Sequence, residues 1–142
     1  MMAVEDRLIY LISKVFHKLM INLQKAFSEA GVEVTPVQAM LLFYLQKKDG
    51  SSLTEISSGL MLENPTVTGL IDRLEKSGYV NRSDHPSDRR VYLVYLTEKG
   101  SRVANRALPI IKRLNEQIQE GYSEEEIESF KKVLMGAFNK FP

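Results

Sequence analysis

The sequence predicts an all-α protein interrupted by one small β-hairpin, and three observations carry that reading. Apolar residues recur at helical spacing through most of the 142 residues. Three helix starts are written as capping boxes, at Thr35/Gln38, Ser52/Glu55 and Ser123/Glu126. One stretch breaks the pattern: residues 79–96 set β-branched and aromatic flanks around Asp84, Pro86, Ser87 and Asp88, the residue types that close a hairpin loop.

Taken in order, residues 5–29 predict one long helix, with Leu8, Leu11, Ile12, Val15, Leu19, Leu23, Ala26 and Phe27 in register and Gly31 ending it. Ile9, Phe16 and Met20 widen its apolar stripe. A helix apolar over more than one face has more than one partner, inside its fold or across a dimer seam. Pro36 opens the next helix, which runs to about Lys48 before Asp49-Gly50. A short helix from Ser52 turns Ile56 and Leu60 inward. After a turn around residues 61–63, Asn64 is expected to cap a further helix with Pro65 at its first position. Val67, Leu70, Ile71 and Leu74 form that helix's buried stripe, which ends at Gly78. The hairpin follows, with strands expected at 79–82 and 91–96. Thr97 caps a helix to about residue 120, with Val103, Ala107, Ile110, Ile111, Leu114 and Ile118 as its inner line, and Pro109 is expected to bend or break it. Ile127, Phe130, Leu134 and Phe138 carry the last helix.

Composition bounds the function. A chain of this length buries a core without disulfide or metal staples, and 44% hydrophobic with 26% charged residues is ordinary for a soluble protein. No apolar run approaches the roughly 20 residues of a membrane span. Glu5, Asp6 and Arg7 do not suit a signal peptide, so a cytoplasmic location is expected. The absence of cysteine removes thiol chemistry and fits an intracellular protein. The net charge of +1 conceals a bias: residues 73–106 carry eight basic and four acidic side chains, whereas residues 1–72 and 114–142 are net acidic. A basic middle between acidic ends suits contact with a polyanion through one region.

Two helices joined by a tight turn and followed by a hairpin form a winged helix-turn-helix, which lays its second helix in the DNA major groove. A groove helix must be slim and polar. Asn64, Thr66, Thr68, Gly69 and Arg73, opposite the apolar stripe, meet both demands. The hairpin tip holds Asp88, Arg89 and Arg90 together. A weakly hydrated, planar guanidinium suits the negative potential of a narrow minor groove, and an acid two residues away can hold Arg90 already oriented.

Leu53-Thr54-Glu55-Ile56, PTVTGLIDRLEKSGYV and SDHPSDRRVYLVYLTEKG together resemble the MarR family of bacterial transcription regulators, along nearly the whole chain. The resemblance implies a winged helix-turn-helix DNA-binding region at 35–100 and a helical dimerisation region built from 5–30 and 101–142. It implies a homodimer that represses transcription by occupying a pseudo-palindromic operator in double-stranded DNA. Asn64, Pro65, Thr66, Thr68 and Arg73 would meet the major groove, and Arg90, supported by Asp88 and Arg89, the minor groove. Many members release DNA when a small aromatic or phenolic effector binds between the two regions, where Phe16, His17, Met20 and Tyr44 would line the cleft.

Departures from the family's branches narrow this further. One branch senses oxidants through cysteine, and another binds zinc through clustered His, Glu and Cys. Here there is no cysteine, and His17 and His85 have no metal-ligand spacing, so neither metal nor cofactor is expected. Catalysis is not expected either: His85, between Asp84 and Ser87, sits in a turn too open to exclude water. The alternative from another class is a winged-helix module that binds protein rather than specific DNA, which would not require arginines at the hairpin tip.

Overall fold

A computed structural model describes residues 3–142 as six helices and a three-stranded antiparallel sheet. The helices are α1 (Leu8–Glu29), α2 (Pro36–Lys47), α3 (Leu53–Leu60), α4 (Asn64–Lys76), α5 (Glu98–Gln119) and α6 (Glu124–Lys140). The strands are β1 (Ser51–Ser52), β2 (Val80–Asp84) and β3 (Tyr92–Leu96), in the order β1-β3-β2. Two compact units divide the chain, one ending at Ile110 and the other running Ile111–Pro142.

In the first unit the core gathers α2, α3, α4 and the start of α5 around the C-terminal end of α1 and the sheet. Phe27, Leu41, Leu42, Leu45, Ile56, Ile71 and Val94 are fully buried, each burial being worth roughly 1.5–3 kcal/mol. The capping boxes at Thr35, Ser52 and Ser123 form as the sequence predicts, with both reciprocal hydrogen bonds. Thr97 caps α5: its Oγ1 accepts from Gly100 N–H at 3.0 Å and donates to the Gly78 carbonyl at 2.7 Å. Two cations of α5 tie down other helix ends, where carbonyls are left without partners. Lys99 Nζ donates to Ser77 O at the end of α4 (2.8 Å), and Arg106 Nη2 to Ala30 O at the end of α1 (2.9 Å).

Several boundaries differ from the sequence reading. The first helix begins at Leu8 rather than residue 5. Val4–Asp6 instead form a 3-10 turn, and Arg7, in extended backbone, separates it from the helix without a side-chain cap. Glu63, not Asn64, is the N-cap residue of α4, and Asn64 is its first residue. Proline fits the second helical position as well as the first, since neither N–H has a partner within the helix. The strand β1 went unread because it is only two residues long and doubles as the approach to the α3 cap; Ser51 pairs with Val94 and Ser52 with Leu93. Helix α5 continues through Pro109 without a break. Pro109 has no N–H to donate to the carbonyl of Asn105, and Asn105 is an exposed residue.

Burial also falls short of the predicted stripes. Along α1 only Leu23 and Phe27 are buried, while Leu8, Ile9, Ile12, Val15 and Phe16 stand at 50–86% exposure. In the second unit α6 buries none of its residues, and Phe130, Val133 and Phe138 are each more than half exposed. On α5 the inner line holds for Val103 and Ala107 but Ile118 is 41% exposed.

Candidate nucleic-acid interface

Helix α4 buries Val67, Leu70, Ile71 and Leu74 and turns the rest of its circumference outward. Asn64, Pro65, Thr66 and Arg73 are exposed and Thr68 and Gly69 half-buried. A Cβ added at Gly69 would meet nothing within 4 Å, so this face is both slim and open. The turn that leads into it is sharp. Met61 ends α3 in left-handed conformation at φ 55°, a region a residue with a Cβ adopts at a cost.

The hairpin is regular. Val80 pairs with Leu96, Arg82 with Val94 and Asp84 with Tyr92, so alternate residues of both strands share the inner face. Beyond the strand ends the loop is closed by the His85 N–H donating to Val91 O (3.0 Å), the Val91 N–H to Asp88 O (3.1 Å) and the Ser87 N–H to His85 Nδ1 (3.0 Å). At the tip Asp88 does what its spacing predicts. Its Oδ1 accepts from the Arg90 backbone N–H at 3.0 Å and from Arg90 Nε at 3.2 Å, and its Oδ2 from Arg90 Nη2 at 3.3 Å. Hydrogen bonding from the Arg90 side chain, then from its backbone, holds the Asp88 carboxyl below the usual carboxylate range. The Arg90 side chain is nonetheless 89% exposed, so the fork is oriented without being used up. Arg89 beside it is exposed as well.

Sequence reasoning missed Arg82. On the inner face of β2 it reaches Asp72 and Glu75 of α4 and lies over the ring of Tyr92 on β3. The available signal was two acids three residues apart on α4 and a lone arginine at an inward strand position. The residues expected to line an effector cleft lie on two helices. Phe16 and His17 are exposed and Met20 half-buried on α1, whereas Tyr44, on α2, donates from its hydroxyl to Glu55 O at 3.1 Å. A Cβ at Gly59 would overlap the Tyr44 ring, so that ring rests on bare α3 backbone. Among the described residues no three of His, Asp or Glu gather as metal ligands would.

A slim polar helix beside an arginine-tipped hairpin, on a helix-turn-helix core, defines a winged helix-turn-helix protein. A MarR family model matches residues 34–92. The HTH-type transcriptional regulator YsmB of Bacillus subtilis (strain 168) is 32% identical over 102 residues, which cover 72% of this chain and 70% of the relative. The chain belongs to the MarR family and is a transcription regulator. Among solved structures, a DNA complex of MepR from Staphylococcus aureus superimposes with TM-score 0.88 at 23% identity, over 95% of this chain and 98% of that one. BpsR of Bordetella bronchiseptica, whose DNA binding is regulated by 6-hydroxynicotinic acid, superimposes with TM-score 0.87 at 20% identity, over 96% of each chain.

Proposed function

We propose that two copies of this chain occupy a pseudo-palindromic operator in cytoplasmic duplex DNA and repress transcription there. The observation that carries this reading is the wing tip: an almost fully exposed guanidinium held in a fork by Asp88, beside the open face of α4. In this reading Asn64, Pro65, Thr66, Thr68 and Arg73 meet the major groove, and Arg90, with Asp88 and Arg89, the minor groove. The MepR–DNA complex supports it, because the same fold there engages a duplex. Residues 35–100 form the reading region, and residues 5–30 with 101–142 pair the copies.

Arg90→Ala is expected to weaken binding to a duplex selected from random sequence by about 1–3 kcal/mol, with a shallower dependence on salt. Fluorescence anisotropy across a salt series measures both, and parent-like binding throughout would overturn the wing assignment. Because the Asp88 pKa is lowered, its carboxylate is ionised above its ordinary range, and the fork is lost only as pH falls through the lowered value. Binding between pH 6 and 8 is therefore expected to owe no pH dependence to Asp88. Gly69→Ala tests the helix face. It is expected to raise stability by roughly 0.5–1 kcal/mol, since alanine is the better helix former and its methyl meets open space, while lowering operator affinity severalfold. Greater stability with unchanged affinity would place that face away from the groove.

Release by a small aromatic or phenolic effector completes the proposal, and the ligand-regulated BpsR supports it. Phe16, His17, Met20 and Tyr44 are the lining. Tyr44 makes such a ligand consequential, since its ring and hydroxyl both rest on α3, the first helix of the reading pair. By linkage, an effector that weakens the operator by ~1–3 kcal/mol must itself bind the operator complex about 5- to 150-fold more weakly. Calorimetric titration of aromatic carboxylates and phenols into free and DNA-bound protein reads that factor. Equal affinity in both states for every binder would remove the switch.

A further inference from the structure

We propose that Arg82 is a positioning residue that clamps the wing to the recognition helix, so that both groove contacts are made in one fixed register; this rests on the operator reading above. One side chain on β2 touches two other elements, α4 and β3. Its Nη2 donates to Asp72 Oδ1 and its Nε stands 3.3 Å from Glu75 Oε1, an ionic contact rather than an aligned hydrogen bond. The Arg82 backbone N–H donates to Glu75 Oε2 at 3.1 Å, so Glu75 grips strand and side chain together. The guanidinium face lies 4.9 Å from the centroid of the Tyr92 ring, and Tyr92 is the diagonal cross-strand neighbour of Arg82.

Asp72 and Glu75 are three residues apart on α4 and so share a helix face. Arginine suits the place because only a planar cation can fork toward two acids and stack on an aromatic ring at once. The Arg82 side chain is 26% exposed but Asp72 is 58% and Glu75 40% exposed, so the clamp acts through its geometry, its charge pairing remaining open to salt. The position matters as much as the strength. Arg82 lies midway along β2, between its anchored start at Val80 and the free tip. A hairpin held only at its base turns a small tilt into a larger displacement at Arg90, which lies at its far end. Asp72 and Glu75 are engaged in this clamp, while Arg73, between them in sequence, is exposed.

A double-mutant cycle on DNA binding separates a clamp from a merely structural residue. The probe is a fluorescein-labelled duplex selected from random sequence by the parent protein, and circular dichroism establishes folding of each variant at the assay temperature. Arg90→Ala in the parent is expected to weaken binding about tenfold or more. In an Arg82→Met background, which keeps bulk and loses the fork, the same substitution is expected to cost less than threefold, because the tip is no longer held where Arg90 reaches its groove. Arg82→Lys, which keeps the charge without the fork, is expected to lie between, and serves alone if Arg82→Met does not fold. Equal costs of Arg90→Ala in parent and Arg82 variants would overturn the clamp and leave the wing contact intact. No cost of Arg90→Ala in the parent would overturn the operator reading at the wing, and the clamp with it.

Discussion

Ile12→Glu and Phe138→Glu are each expected to leave a folded monomer that binds its operator at least a hundredfold more weakly than the parent. Both side chains are half exposed, Ile12 at 50% and Phe138 at 55%, so a charge at either place costs the isolated chain little. In the proposed dimer these same faces are covered. The exposed apolar residues of α1 and α6 far exceed the scatter of single surface apolar side chains that needs no explanation. A glutamate buried in such a seam would be an unpaired charge, several kcal/mol against association. Once the copies separate, the second half-site is no longer delivered at high local concentration, and avidity of roughly 10²–10⁴ disappears. Sedimentation and operator titration check the two halves together. A parent chain that sediments as an intact monomer at micromolar concentration would refute the dimer outright.

Gly100→Ala is expected to destabilise the first unit by about 3 kcal/mol, the upper end of what overpacking costs. Gly100 is buried in the first turn of α5, where an added Cβ would overlap the backbone carbonyl oxygen of Tyr79 and crowd Leu96 Cδ1. That carbonyl cannot rotate away, since it accepts the Thr97 N–H at 3.1 Å. The residue before β2 and the residue that caps α5 are thus stitched backbone to backbone, and only glycine at position 100 lets the two segments approach. Alanine would otherwise favour the helix by ~0.8–1.0 kcal/mol, so the predicted sign runs against helix propensity. Denaturant titration gives the change directly, and an unchanged midpoint would mean the close approach carries no load. DNA binding is expected to weaken in parallel, because Tyr79 leads directly into β2.

How much was legible follows from where each signal is stored. Helices α2 to α6 and the hairpin were readable because their signals are local: a Ser or Thr three residues before Glu or Gln, a proline near a first turn, a glycine past a last one. The Asp88–Arg90 fork was legible for the same reason, being closed within three residues. Boundaries slipped where two local rules tolerate the same residues, as at Asn64 and Pro65, or where no side chain caps, as at Arg7. Strand β1 and the Arg82 cluster were not legible. Each depends on partners brought from elsewhere in the chain, Val94 in one case and Asp72 in the other.

By itself the sequence determined the winged helix-turn-helix class and the residues that face outward on α4 and at the wing tip, because periodicity and turn chemistry act over a few residues, and its motifs carried the resemblance to the family. Only the tertiary structure decided what those residues are free to do. It left Arg90 exposed although paired, engaged Arg82 with two acids and a ring, seated Tyr44 on the backbone of α3, and left most of the α1 stripe and all of α6 without a buried residue. The physical reason is that a side chain's freedom depends on everything packed around it. Helical spacing says which face is apolar, while the neighbours that cover it, or fail to, come from distant parts of the chain or from a second one.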